Sequence, residues 1–253
     1  MQTKNLSVLI AGGASGIGYA VANMFKQAGN QVVIIDHSDQ VFQAAKALDI
    51  HAIKADVTSE AEIDQAFKEL EQYIQTLRVC INCAGIAPAK KIVGKQGAMP
   101  LAEFKKVIDV NLIGTFNVMR KAAEKMAATT PIAETGERGV IINTASIAAY
   151  EGQIGQAAYS ASKGGVVAMT LPAAREFASV GIRVNTISPG LVATPMLFNM
   201  PEDVKASLAE QVPFPSRFAE PDEYAKLAMH IVDNVMINGE TIRLDGAMRM
   251  QAR

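Results

Sequence analysis

Little in this chain of 253 residues points toward a polyanion, a metal or an oxidising compartment. It has two cysteines, Cys80 and Cys83. That is too few for a disulfide framework and suits a reducing compartment, the cytoplasm by default. Their C-x-x-C spacing does not by itself make a redox or zinc site. The stretch "VCINCAG" reads as an apolar strand running into a turn, not as a helix N-terminus, and His37, His51 and His230 stand in no ligand pattern with it. No metal is expected. Net charge is equally scarce: 24 basic and 25 acidic residues leave a formal charge of -1, with no long run of either sign. The electrostatic footprint of a nucleic-acid or anionic-membrane binder is therefore missing. No apolar run approaches the length of a bilayer span, and "MQTKNLSVLI" meets its first strand too early to hold a secretory signal. Linkers, internal repeats and low-complexity tracts are also lacking, so one domain with a small compact ligand is the expectation.

What is present is a rhythm of short apolar runs: "SVLIA", "QVVIID", "HAIKAD", "RVCIN", "GVIINTAS", "IRVNTIS" and "ETIRLDG". They alternate with amphipathic stretches such as Ala61 to Tyr73. Runs apolar on both faces, separated by helices, predict a doubly wound, Rossmann-type α/β fold with a parallel sheet flanked by helices. The nucleotide-binding half is expected to end near residue 100, with the catalytic and substrate-binding half beyond it. Ala87 to Pro100 and Thr129 to Gly139 read as surface loops.

The first strand is followed by "GGASGIG", which sets Gly12, Gly16 and Gly18 at a strand-to-helix turn. Glycines there let the backbone approach a pyrophosphate, and the helix N-terminus offers amide donors and a favourable dipole. A glycine cluster alone is weak, since turns also need glycine. Asp36, however, closes the next strand, where a carboxylate accepts from the ribose hydroxyls of a dinucleotide. It would repel a 2′-phosphate and no arginine follows it, so NAD is favoured over NADP. Asp56 and Val57 follow the third strand, and Cys83, Ala84 and Gly85 the fourth, all at the edge where such sheets bind ligands.

The same edge receives Ser146, at the end of "VIINTAS", and the stretch "AAYSASKGG", in which Tyr159 precedes Lys163 by one helical turn. Such a pair is also the mark of two snorkelling surface side chains; the glycine loop favours chemistry. A phenol near pKa 10 holds its proton too firmly to serve as a base at neutral pH. A lysine about 5 Å away, at an effective dielectric near 20, would stabilise the phenolate by roughly 3 kcal/mol, or about two pKa units. Tyr159 is thus the expected acid/base, Lys163 its tuner, and Ser146 the group that orients the reacting oxygen.

Together, "GGASGIG", "NCAG", Asn111 in "DVNLIGTF", Ser146, "YSASK" and "SPG" resemble the short-chain dehydrogenase/reductase family over nearly the whole chain. The resemblance implies catalysis by Ser146, Tyr159, Lys163 and Asn111, with Asn111 holding a water of a proton relay and Lys163 holding the nicotinamide ribose. Ala11 stands where that family often has threonine, which predicts a slightly less fixed loop. The stretches "GVIINTASIAAYEGQIGQAAYSASKGG", "QVPFPSR" and "NGETIRLDGAMRM" are similar to the type II 3-hydroxyacyl-CoA dehydrogenases within the family. This implies NAD-dependent interconversion of 3-hydroxyacyl-CoA and 3-oxoacyl-CoA with short or branched chains. It also implies a homotetramer paired through long helices around Phe104 to Met126 and Ala157 to Ala178. Carried over by position, cofactor contacts fall on Ser15, Ile17, Asp36, Asp56, Val57, Cys83, Tyr159, Lys163, Val192 and Thr194. Gln153 is a substrate candidate beside Ser146 and Tyr159. The lysines of Lys90 to Gly97 are candidates for CoA phosphates, with a solvated loop as the alternative. The apolar segment through Met196, Phe198 and Met200 to "VPFPSR" reads as a substrate-covering lid or as ordinary packing of a short helix. The competing functions are a hydroxysteroid or other secondary-alcohol dehydrogenase and, from another class, an NAD-bound scaffold protein.

Overall fold

In a computed structural model, which describes residues 1–195 and 202–252, each of the seven apolar runs becomes a strand of one sheet. These are β1 (Ser7–Ala11), β2 (Gln31–Asp36), β3 (His51–Lys54), β4 (Val79–Asn82), β7 (Gly139–Thr144), β8 (Ile182–Pro189) and β9 (Thr241–Leu244). All pair in parallel, in the order β3-β2-β1-β4-β7-β8-β9. Strands β4, β7 and β8 are buried at every position; the first two are apolar over most of their length, whereas β8 also buries Arg183, Asn185, Thr186 and Ser188. The order reverses between β1 and β4, so the chain leaves these neighbours in opposite directions and opens a crevice at their carboxyl ends.

Successive side chains of a strand feed two cores. On one face Leu9, Val33, Ile53 and Val184 pack with Phe67, Met119 and Met126. These come from helices α3 (Glu60–Leu70) and α5 (Gly114–Ala127). On the other, Val8, Ile10, Ile34 and Val140 meet Phe25, Val41, Tyr224 and Ile231, from α1 (Gly16–Gln27), α2 (Gln40–Leu48) and α8 (Pro221–Asp233). Each fully buried side chain of this size stabilises the fold by about 1.5–3 kcal/mol. Helix α3 starts where Ser59 accepts from the Glu62 amide at 3.2 Å, with Glu60 and Glu62 in its first turn.

At the amino edge of the sheet, Arg183 of β8 is buried against the end of α8. It donates to Glu137 Oε1 at 2.7 Å and to the carbonyls of Ile231, Val232 and Ile237 at 2.8–2.9 Å. It thereby serves the final carbonyls that a helix cannot satisfy itself.

Two expectations are corrected. The 87–100 stretch is not plain loop: it carries a small antiparallel hairpin, β5 (Val93–Gly94) with β6 (Gly97–Ala98), tied to the body by the Lys90 amide donating to the Gly155 carbonyl at 2.8 Å. The helix foreseen around Phe104 to Met126 is α4 (Leu101–Ile108) joined to α5 through a π-helical turn, Asp109–Ile113. The other long helix, α6 (Ala157–Phe177), is present as expected, and α7 (Glu202–Glu210) follows β8. The stretch 129–139 is irregular up to the start of β7. Among the described residues no helix is long and apolar enough to cross a membrane. Met196, Phe198 and Met200 of the foreseen lid lie outside the described residues.

Candidate active site

An open cleft of about 750 Å³ runs along the carboxyl edge. At its first end lies the glycine turn. Gly12 sits at φ +79, and a Cβ there would come within 2.5 Å of the Ala84 amide nitrogen; one on Gly18 would lie 2.1 Å from the Gly12 carbonyl oxygen. Only glycine lets these backbones meet. Ser15 enters α1 in extended conformation without a side-chain capping hydrogen bond, which leaves the first-turn amides to a ligand. Ala11 has no hydroxyl, yet the turn is braced from β2. The Gly12 amide donates to the Ile35 carbonyl at 2.8 Å, and the Ala14 amide to Asp36 Oδ2 at 3.2 Å. The other Asp36 oxygen accepts from the Ser38 amide at 3.2 Å, and the carboxylate stands at the cleft wall with His37 and Ser38. Asp56 accepts from the Thr58 amide and hydroxyl at 2.9 and 2.8 Å, which fixes the Asp56–Val57 bend at the cleft floor.

Ser146, Tyr159 and Lys163 line the opposite end. Lys163 is 3% exposed, lies 5.9 Å from the centre of the Tyr159 ring, and donates to the Thr144 carbonyl at 2.7 Å. Thr144 is in turn held by its hydroxyl against Tyr224 at 2.7 Å. Burial lowers the Lys163 ammonium to about 8, since a cation without a carboxylate partner is disfavoured away from water. The expected lowering of Tyr159 is not what the site's geometry favours. Burial raises the phenol above 10, and the Ser146 hydroxyl opposes that rise only in part. At this distance, with its charge drawn to the Thr144 carbonyl, Lys163 does not overcome desolvation. Tyr159 is therefore protonated at neutral pH, the form that donates to a carbonyl oxygen.

The Asn111 side chain is fully buried and lies outside the cleft wall. It accepts from the Ile86 amide at 2.8 Å, and donates to the Ile86 carbonyl at 2.9 Å and to the Ser162 hydroxyl at 3.0 Å. It thus staples the segment after β4 to α6, one residue before Lys163. The π turn aims it there, as such turns often do at functional sites. Gly12, Ser15, Gly16, Ile17, Gly18, Asp36, Asp56, Val57, Cys83, Ala84, Gly85, Val192 and Thr194 all line the cleft. Gln153 does not. It faces a neighbouring groove of about 530 Å³ between Tyr150–Gly155 and Lys91–Val93 of the hairpin segment. Burial pushes the Cys83 thiol up to about 11 and Cys80 higher still, so neither is a ready nucleophile. Lys106, Val110, Leu191 and Met250 also line the cleft; Val110 and Met250 fall inside the stretches "DVNLIGTF" and "NGETIRLDGAMRM", but sequence reasoning gave none of the four a role.

The profile described as Enoyl-(Acyl carrier protein) reductase matches residues 12–248. The chain belongs to the short-chain dehydrogenase/reductase family. It is an oxidoreductase of a family that typically depends on a nicotinamide cofactor, and its substrate is a small molecule. It is 52% identical to "3-hydroxyacyl-CoA dehydrogenase type-2" of Bos taurus over 99% of this chain and 97% of that protein. The Homo sapiens protein of the same name is 51% identical with the same coverage. A crystal structure of 3-hydroxyacyl-CoA dehydrogenase type-2 from Mycobacterium avium superposes with a TM-score of 0.93 at 39% identity, covering 100% of both chains.

Proposed function

We propose that the protein is an NAD-dependent 3-hydroxyacyl-CoA dehydrogenase that interconverts 3-hydroxyacyl-CoA and 3-oxoacyl-CoA of short or branched chain. The observation that carries this is one continuous cleft with Asp36 at one end and Ser146, Tyr159 and Lys163 at the other. The names of the relatives support the acyl-CoA part. The first-turn amides of α1 and the glycines beside them fit a pyrophosphate, and Asp36 fits the adenosine ribose hydroxyls in place of a 2′-phosphate. When bound, the nicotinamide supplies the hydride chemistry. Ser146 then donates a hydrogen bond to the substrate oxygen, and Tyr159 gives that oxygen its proton during reduction and takes it back during oxidation. Lys163, mostly charged at neutral pH with a value of about 8, favours the phenolate left behind. Asn111 holds α6 so that the three groups converge; the water of a proton relay is a further role for it.

Leu101, Ile113, Phe116 and Leu171, from α4 through α6, are exposed apolar side chains, which supports a homotetramer paired through these helices. Sedimentation at micromolar concentration tests it. Free Cys80 and Cys83 support a reducing compartment such as the cytoplasm, which cell fractionation checks.

The deciding experiment mixes the protein with acetoacetyl-CoA and NADH and follows loss of the reduced nicotinamide, with NADPH and the Tyr159→Phe variant alongside. Turnover with NADH, little with NADPH and near-loss in the variant are expected. NADH binding without turnover would move the substrate to steroids or other secondary alcohols. A Tyr159→Phe protein that lost turnover yet kept its cellular role would favour the scaffold reading.

A further inference from the structure

Residues 248–252 fold back over the end of the cleft that holds Ser146 and Tyr159. Met250 stands in the cleft wall with Ser146, Ile147, Gln156 and Leu191, and with Ile147, Leu191, Val212 and Met248 it forms a small apolar cluster apart from the two main cores. Glu151, five residues past Ser146 on the same segment, holds this tail. One of its oxygens accepts from Arg243 Nη1 at 3.0 Å, and the other from the Met250 amide at 3.1 Å. Arg249 Nε lies 3.3 Å from the first. Arg243 also donates to Asp245 Oδ2 at 2.6 Å and to the Met248 carbonyl at 3.0 Å, and its guanidinium covers the Tyr150 ring at 5.3 Å. Farther along, the Ile154 amide donates to the Ala252 carbonyl at 3.0 Å. The segment that carries Ser146 is therefore also the clamp for the tail.

We infer that Glu151 and Arg243 are positioning residues that fix the tail at the substrate end, and that Met250 is a specificity-determining residue that limits the size of the acyl group beside Tyr159. This rests on the acyl-CoA reading above. A thioether side chain is long and apolar, and it fills a cavity mouth without adding a polar group that an alkyl chain would have to desolvate. Its truncation opens room for further carbons, each worth roughly 10-fold or more in discrimination.

The test measures kcat/KM for acetoacetyl-CoA and for longer and branched 3-oxoacyl-CoA substrates in the wild type, Met250→Ala and Met250→Leu. NADH affinity is followed by fluorescence. Met250→Ala should raise the long-to-short ratio about 10-fold, Met250→Leu should keep the wild-type ratio, and NADH affinity should stay unchanged in both. A substrate-free arm compares the rate at which a carboxypeptidase trims the tail of the wild type and of Glu151→Gln; trimming about 10-fold faster is expected. Acyl-CoA turnover with an unchanged ratio in Met250→Ala would overturn the specificity role alone. No acyl-CoA turnover by the wild type would overturn it together with the proposed function. Equal trimming rates would overturn the clamp in either case.

Discussion

At the amino edge of the sheet Arg183 is 5% exposed, and at the carboxyl edge Lys163 is 3% exposed. The first meets a carboxylate and the end of a helix, with Glu137 at 2.7 Å, the Ile231 and Val232 carbonyls of α8 at 2.8 and 2.9 Å, and the Ile237 carbonyl just beyond it at 2.8 Å. Among the described residues the second donates to one carbonyl, that of Thr144. A guanidinium whose fork is filled locks elements together. An ammonium left with spare donors beside a phenol is a group held ready for a ligand, and its lowered value marks the desolvation it bears. The two edges thus divide the labour of one sheet, the amino edge serving stability and the carboxyl edge serving chemistry.

The sharpest way to break this comparison is Tyr159→Phe. It should lower kcat/KM by roughly 10²- to 10⁴-fold while the thermal midpoint stays within a degree or two of the wild type. A comparable loss of stability would place Tyr159 among the structural residues. Next in size is Arg183→Ala, expected to destabilise by about 3 kcal/mol because buried Glu137 keeps only the Met1 ammonium, at 3.1 Å, and the Ile231, Val232 and Ile237 carbonyls lose their guanidinium donor. Urea titration at pH 7 measures this, and a change below about 1 kcal/mol would contradict the assignment.

Lys163→Met should act in the opposite sense on stability while removing activity. Lowering the ammonium from 10.5 to about 8 corresponds to about 3 kcal/mol against the folded state at neutral pH. The unfolded chain binds this proton more tightly than the folded one. The penalty is therefore complete below pH 8 and fades as the pH rises toward 10.5. The variant should be more stable than the wild type at pH 7, with the gap closing by about pH 10. A constant gap across that range would mean that packing, not charge, is responsible. The smallest effect belongs to Asp36→Ala, which should weaken NADH binding by about 10- to 100-fold, as expected for a lost hydrogen bond to a carboxylate, and narrow the difference from NADPH. Fluorescence titration reads both.

How much of this could be read from the chain depends on how far apart the partners lie. The seven strands were legible because a sheet covered on both faces demands apolar runs, and the residues of the glycine turn, Asp36 and the Tyr159–Lys163 pair because each is local. The hairpin near Lys91 leaves no signal in the chain because its strands are two residues each, too short for any period to show. Gln153 was placed by its position between Ser146 and Tyr159, but the turn through Gly155 directs it to the adjoining groove. Glu151 and Met250 meet across a separation of 99 residues, and nothing in either neighbourhood announces the other. The phenol's direction is not legible in the chain, because Coulomb attraction follows from spacing whereas desolvation depends on what surrounds the ring.

The π turn at Asp109–Ile113 has a consequence for insertions and deletions. A π turn is an α-helix carrying one surplus residue, so deleting one residue there should let α4 and α5 fuse into a regular helix, each half keeping the face it now buries. Such a mutant would fold and still cover the sheet, yet Asn111 would swing away from Ile86 and Ser162. The expected outcome is a circular-dichroism spectrum like that of the wild type with kcat/KM lowered.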